Sequence, residues 1–184
     1  GGINNNCRGN GCVIAGGRVN VITGEDLSVI GGGGANSIAV DGSTIAGGVS
    51  NSIPTGNYGA IGGGLLNIVL ADYGTIGGGL QNSVNGQWGT VGGGFGNQAG
   101  SEFDVFGTEA VVCGGSSNKA RGWDSAIVGG TSNSIDPTGV QGLICGGQNG
   151  LVTQQNGTIL NGYFGQATGL FSTVINGSGC IASG

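Results

Sequence analysis

The chain has 184 residues, of which 48 are glycine, and its 4 Lys and Arg against 9 Asp and Glu give a formal net charge of −5. A sparsely charged, acidic chain attracts phosphates poorly, which excludes nucleic acid as the expected ligand. No apolar run reaches the roughly 18 to 20 residues that a membrane-spanning helix needs, so we expect no membrane span.

A glycine recurs at one place in a repeat of fifteen or sixteen residues, most clearly at 75–82, which reads TIGGGLQN. So short a period predicts a solenoid, in which each repeat is one coil that buries its apolar face by stacking on its neighbours. We therefore expect a single all-β domain over residues 1–184, a parallel β-solenoid of the β-roll type with about twelve coils of 15–16 residues.

The recurring glycine predicts a structural corner of the coil. It needs either a positive φ or a place where adjacent coils leave no room for a Cβ. The corner glycines are Gly17, Gly33, Gly48, Gly64, Gly79, Gly94, Gly115, Gly130 and Gly147.

Two apolar columns flank this corner. A β-branched residue, such as Ile45, Ile61 or Ile76, stands two residues before the first glycine of each doublet, and a second apolar residue, such as Val69 or Val84, stands six residues after it. β-branched side chains favour pleated surfaces. Each coil is therefore predicted to carry two short strands that face each other.

Asparagine fills the position four residues after the first glycine of most doublets. Stacked amides at a corner satisfy backbone groups of successive coils, so this column predicts an asparagine ladder. Its members are Asn20, Asn36, Asn51, Asn67, Asn82, Asn97, Asn118 and Asn133. The column is interrupted at Gly150, Gly165 and Cys180, so the last three coils are expected to turn differently.

The repeat at 74–86, GTIGGGLQNSVNG, resembles the head repeats of trimeric autotransporter adhesins and related viral tail-fibre repeats. In that family a strand, a small-residue turn and a second strand followed by glycine close one coil of a parallel β-roll. Ile76, the turn at Gly78 and Gly79, inward Val84 and then Gly86 match this plan. The resemblance implies a surface fibre with an adhesive role, and leaves handedness and the number of chains open.

Tyr58, Tyr73 and Trp88 occupy one position in three successive coils, which predicts a stacked aromatic strip. Such a strip serves self-association, corner packing or the binding of sugar faces. An outward threonine column raises the alternative of ice binding. It comprises Thr44, Thr75, Thr90, Thr158 and Thr173.

The sequence offers few candidate catalytic or metal-binding residues, because the chain contains no histidine. Carboxylates acting in pairs could cleave polysaccharide, and the richest cluster is Glu102, Asp104 and Glu109 in a longer loop at about 98–110. A solvated acidic loop is the simpler interpretation. We therefore expect no enzyme, no catalytic residue, no metal and no cofactor.

The positions of four of the five cysteines within the repeat predict their environments. Cys7 and Cys12 flank one corner in inward columns and are a candidate disulfide of an oxidising compartment. Cys113 and Cys145 share a column two coils apart and are expected to be buried small residues.

The expected function is a non-enzymatic structural rod of an extracellular, cell-surface or virion-surface fibre. Its first and last repeats carry no cap, so its partner is expected to be itself, head to tail or laterally. A host surface or a glycan is a further expected partner. An ice- or glycan-binding solenoid is the alternative, and a polysaccharide-cleaving fibre is the third.

Overall fold

Two parallel sheets of two-residue strands form the molecule in the computed structural model, which describes residues 1–24, 26–101 and 109–184. Strands are numbered in chain order. The first sheet contains β1 (Asn6–Cys7), β3 (Val21–Ile22), β5 (Ser37–Ile38), β7 (Ser52–Ile53), β9 (Ile68–Val69), β11 (Ser83–Val84), β13 (Gln98–Ala99), β15 (Lys119–Ala120), β17 (Ser134–Ile135), β19 (Leu151–Val152), β21 (Gln166–Ala167) and β23 (Ile181–Ala182). The second sheet contains β2 (Val13–Ile14), β4 (Val29–Ile30), β6 (Thr44–Ile45), β8 (Ala60–Ile61), β10 (Thr75–Ile76), β12 (Thr90–Val91), β14 (Val111–Val112), β16 (Ala126–Ile127), β18 (Leu143–Ile144), β20 (Thr158–Ile159) and β22 (Thr173–Val174).

Each strand pairs in parallel with the equivalent strand one coil before and one coil after it. Ile76 is in register with Ile61 on one side and with Val91 on the other. The predicted parallel β-solenoid is thereby confirmed, as a single domain of about eleven turns. With strands about 4.8 Å apart, the stack is about 50 Å long.

The core lies between the two sheets and is one residue thick on each side. Strands present their second residue inward, and the side chains of Ile45, Ile76 and Val84 have no exposed surface. Small residues stand two positions before the inward residue of the second sheet, among them Ser43 and Gly74, and they too are buried. Apolar burial of this kind is the main favourable term in folding.

A third column of backbone pairing runs through the corner, where the sequence predicted only two strands per coil. Single parallel bridges join Leu65 to Leu80 and Leu80 to Phe95, and the column extends from Ile3 to Ser178. The residue after each corner glycine thus adds its own backbone bonds between coils. The last three coils were expected to turn differently, and this column nevertheless continues without a break through Gln148 and Tyr163. The corner glycines of the last two coils do differ, with a φ of +150° at Gly162 and of +127° at Gly177.

Variation in repeat length is absorbed at the second corner, opposite the glycines. The longest repeat separates β13 from β14, yet Gln98 still pairs with Lys119 and Val91 with Val112. Residues 102–108 of the loop predicted at about 98–110 lie outside the described residues.

A disulfide joins Cys7 to Cys12, whose Cα atoms are 6.1 Å apart, and closes the second corner of the first coil. The expectation that Cys113 and Cys145 are buried is wrong. Cys113 is exposed and Cys145 is half-buried, because each follows the inward residue of its strand and alternation directs it outward. No helix among the described residues has the length and apolarity needed to cross a bilayer.

Candidate functional site

The corner glycines satisfy both conditions that the sequence posed as alternatives. In the nine predicted corners φ lies between +86° and +93°, a region that L side chains rarely adopt. A Cβ on Gly79 would also lie 2.3 Å from the carbonyl oxygen of Gly94, in the next coil. The neighbouring Gly78 has no such contact, since its nearest neighbour is an oxygen of Gly63 at 4.0 Å. The second glycine of the doublet is therefore the constrained one.

The asparagine side chains form a continuous hydrogen-bonded ladder beside this corner. In one representative coil, Nδ2 of Asn82 donates to the carbonyl oxygens of Gly78 at 2.9 Å and of Gly94 at 3.1 Å, and Oδ1 accepts from the backbone amide of Asn97 at 3.0 Å. The amide-to-Oδ1 bond measures 3.0 Å at every step from Asn20 to Asn133. All eight predicted members are buried. Each asparagine thus ties its own coil to the coils on both sides.

The ladder ends on a glycine. The backbone amide of Gly150 donates to Oδ1 of Asn133 at 2.8 Å, so the last amide is still paired. Two later coils place an asparagine in the doublet itself, where Oδ1 of Asn161 accepts from the amide of Gly162 at 2.9 Å and Oδ1 of Asn176 accepts from Gly177 at 2.8 Å. In these two coils the asparagine side chain bonds within its own coil, while the backbone bond from the amide of Tyr163 to the carbonyl oxygen of Gly177, at 2.9 Å, still joins one coil to the next.

The second corner carries a column of non-glycine residues with positive φ that the sequence did not predict. Tyr58, Tyr73 and Trp88 have φ between +56° and +59°. Tyrosine and tryptophan give no hint of a left-handed conformation. Other coils do indicate the left-handed conformation, because the same position there holds Gly42 and Asn156, residue types that favour positive φ.

The predicted aromatic strip exists as a stack of rings. Ring centroids of Tyr58 and Tyr73 are 5.3 Å apart and those of Tyr73 and Trp88 are 6.1 Å apart, with planes inclined by 10° and 11°. The Tyr58 ring also lies over Gly42, where a Cβ would be 2.6 Å from Cδ1. Sugars bind on ring faces, and here both faces of Tyr73 are covered by its neighbours. The geometry favours corner packing over a glycan platform.

A second ladder, made of Asp and Asn, accompanies the aromatic strip. The backbone amides of Asp26, Asp41 and Asn57 donate to Oδ1 of the residue one coil further on, at 2.9, 3.1 and 2.7 Å, and the last acceptor is Asp72. These carboxylates are therefore backbone acceptors at the second corner. The repeat did not reveal this ladder, because the column contains both aspartate and asparagine and continues as Gln87 in the next coil.

The carboxylates proposed for polysaccharide cleavage are only partly described. Glu102 and Asp104 lie outside the described residues. Glu109 stands in the same column as Asp124, one coil away, and a hydrogen bond to Asp124 together with charge repulsion raises the pKa of Glu109 above its ordinary value of 4.5. Within the described part of the chain, no group of three or more His, Cys, Asp or Glu side chains is placed to hold a metal ion.

The outer faces of the two sheets differ in charge. The first sheet carries Arg8, Lys119, Arg121 and Asp136 at its outward positions, with a 2.6 Å ion pair between Arg121 and Asp136. The outer face of the second sheet, formed by the first residue of each strand and the residue after it, carries no charge at any of its 22 positions. We call it the uncharged face. Its residues are Val13, Ala15, Val29, Gly31, Thr44, Ala46, Ala60, Gly62, Thr75, Gly77, Thr90, Gly92, Val111, Cys113, Ala126, Val128, Leu143, Cys145, Thr158, Leu160, Thr173 and Ile175.

Comparison with protein-family models and with curated proteins finds no match to this chain.

Proposed function

We propose that the chain is a non-enzymatic structural rod of a fibre outside the cell or on a virion surface. In this proposal it associates with copies of itself, head to tail or side by side, and serves adhesion to a host surface or a glycan. The observation that carries the proposal is the unbroken asparagine ladder from Asn20 to Asn133, which links each coil to the next through buried hydrogen bonds. Such coupling suits a part that resists tension along a fibre, since separating two coils breaks side-chain and backbone bonds together.

The proposed location has two supports. A disulfide between Cys7 and Cys12 is typical of oxidising compartments. The exposed Asn176 begins an Asn-Gly-Ser tripeptide of the kind that accepts glycans in secreted proteins.

Electron microscopy of the purified protein tests the proposal. We expect straight rods about 50 Å long or filaments built from them. Flexible or globular particles would contradict it. Incubation with polysaccharides is expected to leave their viscosity unchanged, and a fall in viscosity would support the polysaccharide-cleaving alternative.

Ice binding is the second candidate, favoured by one observation. The outward Thr75 and Thr90 lie on a sheet face without charge, in adjacent strands about 4.8 Å apart, and Thr44 lies two strands before Thr75. Thermal hysteresis of a solution of the protein tests it, and a freezing point equal to the melting point excludes it.

A further inference from the structure

The uncharged face differs from the outer face of the first sheet in carrying no charge and few polar side chains. Parallel sheets normally have other parts of a protein packed on both faces, and the side chains on such covered faces are uncharged. Only threonine supplies polar side chains there, in 5 of the 22 positions. The corners and the outer face of the first sheet carry all the charged residues that the structure describes.

The relief of the uncharged face changes at its middle. The residue after each strand is Ala or Gly from β2 to β12 and becomes larger from β14 to β22. The recessed half consists of Ala15, Gly31, Ala46, Gly62, Gly77 and Gly92, and the raised half consists of Cys113, Val128, Cys145, Leu160 and Ile175. Leu160 and Ile175 are 42% and 68% exposed although both are large and apolar.

We propose that the uncharged face binds the uncharged face of a second copy of this chain, with the two rods antiparallel and related by a two-fold axis at Gly92. This axis maps the recessed half of one copy onto the raised half of the other, so that in the column after each strand every rung pairs a small residue with an equal or larger one. The facing pairs are Ala15 with Ile175, Gly31 with Leu160, Ala46 with Cys145, Gly62 with Val128, and Gly77 with Cys113. An interface in which one surface patch meets itself is the commonest arrangement of homodimers.

A parallel arrangement fits worse. A two-fold axis along the rods exchanges the two columns of the face, so Leu160 and Ile175 would face Thr158 and Thr173 at one end, while Ala15 and Gly31 would face Val13 and Val29 at the other. The side-chain volume between the rods would then be larger at one end of the interface than at the other. Close packing without voids is what stabilises apolar interfaces, so the antiparallel arrangement is favoured.

The size of the face suits a weak, reversible pair. Eleven strands spaced about 4.8 Å apart and about 10 Å wide offer about 500 Å² on each copy. The total of about 1,000 Å² stands at the threshold for a biological interface and below the roughly 1,200 to 2,000 Å² of stable ones. This pairing is one form of the self-association in the proposed function, and it rests on that proposal.

Sedimentation velocity with designed charges tests the pairing. Val111 of one copy faces Thr75 of the other across the axis, so Thr75→Lys and Val111→Glu are each expected to weaken dimerisation about tenfold or more. The double variant is expected to restore dimerisation to within a few fold of wild type, because the two introduced charges attract across the interface twice. Ser37→Lys, on the outer face of the first sheet where Lys119 occurs naturally, is the control and leaves dimerisation unchanged.

Several outcomes would overturn the inference. Wild-type protein that stays monomeric at high micromolar concentration overturns both the pairing and the proposed self-association. Protein that assembles only end to end overturns the pairing and leaves the proposed function intact. A dimer weakened equally by Ser37→Lys involves another face. A double variant that dimerises more weakly than either single variant indicates parallel rods. Circular dichroism of each variant confirms that it is folded.

Cross-linking between chains determines whether the two rods of a dimer are antiparallel or parallel. Ala46→Cys, combined with Cys113→Ser and Cys180→Ser, places a thiol opposite Cys145 of the second copy. A bismaleimide that spans the 10 Å or so between packed sheets is expected to link position 46 to Cys145 between chains. Within one chain these positions lie six rungs apart, about 29 Å, beyond its reach. Links from 46 to 46 or from 145 to 145 would contradict the antiparallel arrangement.

Discussion

Oδ1 of Asn82 accepts a hydrogen bond from the backbone amide of Asn97 at 3.0 Å, fifteen residues further along the chain and one coil higher. Nδ2 of Asn82 donates on to the carbonyl oxygen of Gly94 in that same higher coil. One asparagine side chain therefore pairs with both a backbone N–H and a backbone carbonyl of the next coil. Asparagine recurs at this corner because these backbone groups would otherwise be unpaired.

Removing one amide from the ladder is expected to destabilise the rod. Asn82→Ala loses three hydrogen bonds and leaves buried backbone groups unsatisfied, so we expect a loss of about 2–4 kcal/mol in the free energy of unfolding. Urea unfolding followed by circular dichroism measures it. Gln81→Ser is the control, because serine occupies this position in other coils, and a loss as large in Gln81→Ser would contradict the ladder's role.

The two glycines of one doublet are expected to differ in tolerance. Gly79→Ala forces a Cβ against the oxygen of Gly94 at a φ of +93° and should cost about 2 kcal/mol or more. Gly78→Ala meets only an oxygen at 4.0 Å and should change stability by less than about 0.5 kcal/mol. Thermal melts of the two variants compare them, and equal tolerance would show that the corner is not constrained as described.

Tyr73 is expected to stabilise the second corner through its two ring neighbours. Tyr73→Asn keeps a residue type that adopts positive φ, as Asn156 does in a later coil, but loses both stacks, so we expect a loss of about 1 kcal/mol or more. Tyr73→Phe retains the stacks and should match wild type. Chemical denaturation gives both values. If Tyr73→Asn proves neutral, the rings do not stabilise the corner.

Stability is expected to fall as pH rises through the titration of Glu109. The folded protein holds the pKa of Glu109 above 4.5, so near and above that pH the folded state binds more protons than the unfolded state. The penalty is absent below pH 4.5 and complete above the raised pKa. Melting temperatures of wild type and Glu109→Gln across this range test it, since the variant should lack this part of the decline. A decline identical in Glu109→Gln would assign the pH dependence to other groups.

The repeat made the solenoid predictable. β-branched residues at a fixed distance before each glycine doublet mark an inward column, and Ile45, Ile61 and Ile76 do lie in one buried file. The asparagine column was predictable for the same reason, since a residue that hydrogen-bonds to its own copy in the next coil must recur with the period of the coil.

Other features were hidden because they depend on the shape of the backbone and not on residue type. Tyr58 and Leu66 both adopt positive φ, which neither side chain favours, because the corners impose it on whatever residue stands there. The buried placement expected for Cys113 failed since its column lies one residue beyond the inward position, and a shift of one residue reverses the face of a strand.

By itself the sequence determined the coil, its period, the inward columns and the corner ladder, because each follows from interactions between equivalent residues of adjacent repeats. Only the tertiary structure decided the third column of backbone pairing, the positive φ of Tyr73 at the second corner, and the contrast between the charged and uncharged outer faces. These features depend on the exact residue at which each corner begins and ends. That residue determines which backbone groups of adjacent coils can pair and whether each later side chain points inward or outward.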